Sequence, residues 1–159
     1  MEVIRGKTAM LFEASTHSAA VLGGASAEQA EALRTFGDYL GIAFQLVDDL
    51  LDYRGDAASL GKNVGDDLAE GKPTLPLIAA MRDGSPEQAS LVRKAIQQGG
   101  SQDLEGIRAA VEAAGALDYT AQLARDYAAR AITCLDTLPS NIYRDALVEL
   151  SEFAVARTH

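Results

Sequence analysis

Apolar residues recur at the spacing of an amphipathic helix along most of the chain, and no stretch alternates as a half-buried strand would. Residues 2–22, EVIRGKTAMLFEASTHSAAVL, form the first helical pattern, which Gly23-Gly24 stops. Ser26 opens the second, with Glu28 and Gln29 in its first turn, and the pattern continues to about Tyr53, near the upper end of usual helix lengths. From Arg54 to Thr74, RGDAASLGKNVGDDLAEGKPT, it gives way to Gly, Asp and Lys, which predicts a long surface loop with room for one helical turn. A loop of that length commonly has a function. After Pro76 come shorter helical patterns, LPLIAAMRDG, then Pro86 to Gln98, then Leu104 to Ala114, read as stacked antiparallel neighbours. A helix over about Leu117 to Leu138 is broken by Pro139, and a last one from about Asn141 is expected to carry Ile142, Leu147, Leu150, Phe153 and Ala154 on one stripe. The pattern predicts an all-α fold of about seven helices in a single domain spanning residues 1–159, with no internal repeat and no low-complexity tract.

Composition narrows the function classes. A chain of 159 residues, 48% hydrophobic and 23% charged, can bury a core and is not disordered as a whole. Its 23 acidic against 14 basic residues give a net charge of -9, so nonspecific attraction to nucleic acid or to an anionic membrane has no support, and an anionic substrate would need local positive charge. No apolar run reaches the roughly 20 residues of a transmembrane segment, and the first residues lack the apolar block of a signal peptide. The single Cys134 has no disulfide partner, and with only His17 and His159 there is no Cys/His zinc set. A cytoplasmic setting is expected. Gly6-Lys7-Thr8 and the run GDDLAEGKPT both lack the glycine spacing of a nucleotide-binding loop. His17 reads as a structural histidine and Cys134 as a small core residue.

One stretch does not fit ordinary core. Phe44 to Tyr53, FQLVDDLLDY, sets Asp48, Asp49 and Asp52 among apolar residues. On a helix Asp48 and Asp52 stand one turn apart on the same face, with Asp49 beside them and Gln45 one turn earlier. Phe44, Val47, Leu50 and Leu51 fill the remaining circumference, so the aspartates are expected to line a cleft. Two carboxylates about 6 Å apart repel by roughly 3 kcal/mol at an effective dielectric of about 20. Hard divalent cations take oxygen ligands, and magnesium characteristically combines one or two carboxylates with substrate phosphates. Three of the four lysines, Lys7, Lys62 and Lys72, fall in the segments around this cluster, and Lys62 and Lys72 bracket a second acidic pair, Asp66 and Asp67. That mixture suits metal plus phosphate. An exposed acidic helix end is the plain alternative.

Taken together, KTAMLFEAS at 7–15, YLGIAFQLVDDLLDY at 39–53 and LGKNVGDDLAEGKPTLPLI at 60–78 resemble the second half of an all-trans polyprenyl diphosphate synthase, most nearly the bacterial long-chain, octaprenyl type. The resemblance extends in weaker form through the C-terminal helices. It implies a partial isoprenoid synthase helical bundle lacking its N-terminal helices. It further implies a prenyltransferase that extends an allylic diphosphate with isopentenyl diphosphate to a long polyprenyl diphosphate, with magnesium (Mg2+) assisting departure of the diphosphate. On this resemblance Asp48, Asp49 and Asp52 bind the metal; Lys7, Thr8, Gln45, Lys62 and Lys72 contact the diphosphate; and Asp48, Asp49 and Lys7 are the catalytic positions.

The family's first Asp-rich motif, the arginine pair after it and the isopentenyl diphosphate residues have no counterpart, nor do the positions that set product length. The first helical pattern also begins at residue 2 without a capping residue, which suits either missing upstream helices or a fraying terminus. A natural truncation, a proteolytic product and a designed fragment are equally compatible with the sequence. Exposed apolar surface is therefore expected, covered by homo-oligomerisation or by a partner supplying the absent half. The alternative function is that of a noncatalytic helical subunit or interaction module binding a full-length synthase.

Overall fold

The computed structural model describes residues 1–54, 65–98 and 103–156. All seven predicted helical segments are present, and among the described residues there is no strand. The first segment is not uniform: Glu2–Ile4 and Met10–Leu22 are α-helical, and Arg5–Ala9 between them forms a π-helical turn. The second runs Ala27–Arg54, and its start is held by a reciprocal cap in which Gln29 N donates to Ser26 Oγ at 3.2 Å and Ser26 N donates to Gln29 Oε1 at 3.1 Å. The loop beyond it contains the expected single turn, Asp66–Ala69. Shorter helices follow at Leu75–Asp83, Pro86–Gln98 and Leu104–Ala113, then Ala116–Cys134 with a 3-10 turn at Leu135–Thr137, and finally Ile142–Ala156. Pro76 lies inside the helix Leu75–Asp83 rather than before it, in the first turn, where a missing N–H costs no helical hydrogen bond.

The chain divides into two compact units. One combines Met1–Val47 with Leu123–Arg157. Its core is Phe36, Leu40, Ala131, Leu135 and Ala154, with Phe12, Leu147 and Val148 packed against them. Within this unit the first helical segment lies very close to the long helix, because glycines stand at the crossing. A Cβ at Gly37 would meet the Phe12 carbonyl oxygen at 2.6 Å, and one at Gly41 would meet Ala9 Cα at 2.6 Å. Ion pairs Arg34–Glu13 and Arg5–Asp38 flank that crossing. The last helix departs from expectation. Ala154 is buried and Leu147 half-buried as predicted, but Ile142, Leu150 and Phe153 are exposed. The buried face instead runs through Leu147, Ser151 and Ala154, whose i, i+4, i+7 spacing a count of large apolar residues overlooks.

The other unit, Asp48–Gln122, packs Leu50, Tyr53, Leu77, Val92, Ile107, Val111 and Leu117 with interleaved alanines. Its helix starts are capped by Ser85, which pairs reciprocally with Gln88, and by Asp103, which accepts from Gly106 N at 2.9 Å. Arg54 donates to Asp118 at 2.7 Å. Among the described residues no helix is long and apolar enough to cross a membrane.

Candidate functional site

In the first unit the sequence-predicted residues Lys7 and Thr8 both fall in the π-helical turn Arg5–Ala9. A π turn holds one more residue than an α turn, which alters the direction of the side chains that follow, and such turns are frequent where a helix carries functional groups. Thr8 Oγ1 donates to Gln45 Oε1 at 2.6 Å, and Gln45 is only 5% exposed, so Thr8 fixes the orientation of a buried carboxamide. The approach that permits this bond depends on Gly41, one helical turn before Gln45 and against Ala9. Lys7 is exposed. The structure thus brings Thr8 and Gln45 together as a pair, with Lys7 adjacent in the chain.

In the second unit Asp48, Asp49 and Asp52 lie in the last turns of the helix Ala27–Arg54. None is fully exposed: Asp49 is 4% exposed, Asp48 and Asp52 are half-buried, and Asp52 Oδ2 is a buried oxygen. The position is electrostatically adverse. Carboxylates repel one another there, and the C-terminal end of a helix carries partial negative charge that penalises a nearby anion by about 0.3 to 1 kcal/mol. Arg54, the basic residue of that last turn, is turned to Asp118. The donor set is all oxygen and anionic, which fits a hard divalent cation such as magnesium. Among the described residues, however, no group of three or more His, Cys, Asp or Glu is arranged to hold a metal ion. Neighbouring positions 48 and 49 point about 100° apart around the helix, so one cation cannot draw on all three carboxylates from the helix geometry alone.

Next to the aspartates runs the segment Gly65–Thr74. Gly65 N donates to the Asp52 carbonyl at 3.0 Å, and Gly65 has φ +88°, with Leu104 Cδ1 at 2.6 Å from where a Cβ would stand, so only glycine fits. Lys72 Nζ contacts Asp67 Oδ1 at 2.9 Å and Glu70 Oε2 at 2.6 Å. These bonds, first to Glu70 and then to Asp67, raise the Lys72 pKa and keep it cationic. Lys62, the other predicted lysine of this loop, lies outside the described residues. Tyr53, the last residue but one of the helix, has its hydroxyl 3.4 Å from Thr74 Oγ1. Burial raises the Tyr53 pKa, opposed by the Thr74 contact and reinforced by Asp52, Asp67 and Asp49, so the phenol stays protonated.

Tyr53, Thr74, Gly65 and the π turn were not singled out in the sequence. Tyr53 closes the quoted acidic stretch, and Thr74 stands two residues before Pro76, but neither position signals a contact between them.

Comparison with known proteins places these residues in context. The family model described as polyprenyl synthetase matches residues 1–114. Octaprenyl diphosphate synthase of Escherichia coli (strain K12) is 51% identical over 158 residues, covering 99% of this chain and 49% of the relative. An all-trans-nonaprenyl-diphosphate synthase (geranyl-diphosphate specific) of Rhodobacter capsulatus is 50% identical, with 99% of this chain and 48% of the relative covered. Among solved structures, a polyprenyl synthase from Caulobacter crescentus CB15, complexed with calcium and isoprenyl diphosphate, superposes with a TM-score of 0.91 at 45% identity, covering 99% of this chain and 49% of that one. A geranylgeranyl pyrophosphate synthase from Corynebacterium glutamicum, complexed with isoprenyl diphosphate and magnesium, gives 0.87 at 33% identity, covering 98% and 45%. The chain therefore spans about half the length of the curated relatives it matches.

Proposed function

The chain belongs to the polyprenyl synthetase family, and from that premise we propose that it serves in chain elongation of an allylic diphosphate by isopentenyl diphosphate, as part of a trans-prenyltransferase that makes a long polyprenyl diphosphate. The supporting observation is the set of semi-buried aspartates Asp48, Asp49 and Asp52 at the adverse end of a helix whose Arg54 is engaged elsewhere. Crowded carboxylates of that kind gain from a dication. Magnesium bound there would neutralise diphosphate oxygens and so ease loss of the leaving group.

The chain's own residues then have distinct roles in this reading. Asp48, Asp49 and Asp52 supply oxygen ligands. Lys72, in the same unit as the aspartates, donates to diphosphate oxygens, and such charge-assisted bonds strengthen as negative charge collects on the departing group; the resemblance gives Lys7 and Lys62 a diphosphate-contacting role as well. Thr8 holds the Gln45 carboxamide in one orientation. Because among the described residues no three acids are arranged around a common point, metal and diphosphate are expected to complete each other's binding shell, each weak alone.

The test is a thermal-unfolding series with magnesium alone, pyrophosphate alone and both. A ligand at about a hundredfold over its Kd stabilises by about 2.7 kcal/mol, which for a chain of this size raises Tm by about 5 to 10 °C. The rise is expected only with both ligands, and it should vanish in Asp48→Ala and Asp49→Asn. Equal behaviour of wild type and these variants would overturn the assignment. Condensation activity is then assayed with the other half of a close relative added in trans.

A second reading, a noncatalytic subunit that docks on a full-length synthase or on another copy of itself, is favoured by the exposed apolar residues Leu11, Leu22, Ile142 and Phe153 of the first unit. A pure scaffold would show no ligand-dependent rise in Tm.

A further inference from the structure

Tyr53 is 1% exposed, and Thr74 8%. A core position of that kind accepts phenylalanine at least as readily as tyrosine, unless the hydroxyl has a partner, since a buried hydroxyl without one is costly. The partner is Thr74 Oγ1, at 3.4 Å. Thr74 is itself unusual. It is the N-cap residue of Leu75–Asp83, yet its side chain makes no capping bond, forgoing the stabilisation a capping hydroxyl supplies. Pro76, at the second helical position, removes one of the two backbone donors a cap would use, and the hydroxyl lies near Tyr53 instead.

What this contact fixes follows from the backbone bonds around it. Thr74 N donates to the Lys72 carbonyl at 2.9 Å, and Lys72 N donates to the Asp67 carbonyl at 2.9 Å. At the other end of the same segment, Gly65 N donates to the carbonyl of Asp52, the neighbour of Tyr53. The segment 65–74, with the Asp67–Lys72–Glu70 charges on it, is thus a strap fastened at both ends to two consecutive residues of the aspartate-bearing helix: to a backbone carbonyl at Gly65 and to a side-chain hydroxyl at Thr74.

We propose that the Tyr53 and Thr74 hydroxyls form a latch that sets where Lys72 stands relative to Asp48, Asp49 and Asp52, and that Tyr53 is thereby a positioning residue for metal-bound diphosphate. This deepens the functional reading above and rests on it. Tyr53 touches no substrate in this role. It acts through Thr74 and the backbone on the placement of a lysine, so its loss is felt in diphosphate affinity more than in folding.

The experiment is a double-mutant cycle on the full chain, with Tyr53→Phe, Thr74→Val and the pair together, read by calorimetric titration of inorganic pyrophosphate in saturating magnesium and by Tm without ligand. Each single variant is expected to lower pyrophosphate affinity about five- to tenfold, and the double no further than either alone, because both remove the same contact. Thr74→Ser, which keeps the hydroxyl, should bind as wild type, which a role confined to packing would not require. Tyr53→Phe keeps the ring and is expected to fold with Tm near that of wild type. Singles that bind as wild type, or losses that multiply in the double, would overturn the latch and leave the diphosphate reading standing. Absence of magnesium-dependent pyrophosphate binding in the wild type would overturn both.

Discussion

The close approach at Gly41 permits a quantitative test of how the first unit presents Thr8 to Gln45. In Gly41→Ala the new methyl would stand 2.6 Å from Ala9 Cα, 3.1 Å from Ala9 Cβ and 3.2 Å from Phe12 Cβ. The first of these is a backbone atom, which cannot rotate away, so the two helices must separate. Alanine in place of glycine inside a helix is worth about 1 kcal/mol in propensity. Overpacking costs about 1 to 3 kcal/mol, and a clash with main chain belongs at the upper end of that range. The net expectation is a loss of about 1 to 2 kcal/mol, which corresponds to a fall in Tm of about 2 to 8 °C. Gly6→Ala is the control: it lies in the π turn of the facing helical segment, where nothing stands within 4 Å of its Cβ position, so it should gain up to about 1 kcal/mol. Urea denaturation and differential scanning calorimetry measure both. Separation of the helices should also lengthen the Thr8–Gln45 bond, detectable as faster exchange of the Thr8 hydroxyl proton in nuclear magnetic resonance. A Gly41→Ala protein as stable as wild type, or a Gly6→Ala protein equally destabilised, would refute the reasoning.

Three further outcomes follow from packing, capping and exposure. Leu77, fully buried in the core of the second unit, should cost about 2 to 5 kcal/mol when cut to alanine, and an unchanged urea midpoint would contradict its place in that core. Ser26→Ala removes one arm of the reciprocal cap and should cost about 1 kcal/mol by the same titration; Gln29→Ala in that background should then cost less than it does in wild type. Phe153 is 64% exposed, so Phe153→Ser should change stability by no more than about 0.5 kcal/mol, while sedimentation velocity should report less self-association if this face joins copies of the chain.

The architecture was legible because helix periodicity and punctuation agree. Gly23-Gly24, Ser26, Pro86, Asp103 and Pro139 each stand within a residue or two of a helix boundary. What escaped was local. A π turn adds a single residue, too little to disturb an apolar pattern read over five turns, so Arg5–Ala9 merged into its neighbours. The last helix misled because hydrophobic stripes are recognised by large residues. Its packed face is built from Leu147, Ser151 and Ala154, and Ser151 satisfies its own hydroxyl by donating to the Leu147 carbonyl at 2.8 Å, so a polar side chain sits buried without penalty.

At the candidate site the sequence displayed charge and concealed its compensation. Three aspartates within five residues are conspicuous, and the resemblance that names them depends on the same letters. That Arg54 is directed to Asp118, 64 residues away in the chain, and that Lys72 is shared between Asp67 and Glu70, are tertiary facts that no spacing encodes. Their energetic weight is small, which matters for the proposed chemistry. Lys72 is exposed, and ion pairs of exposed side chains are worth at most about 1 kcal/mol, so a polyanion can draw the ammonium from its carboxylates at little cost. Asp49, by contrast, sits in a fully formed core helix and cannot move to meet a ligand. The site therefore joins fixed anions on a rigid helix to a mobile-ended cation on a strap. In the proposed chemistry the helix would supply the metal ligands, and the strap, held by its two fastenings, would supply the cation that meets the phosphate.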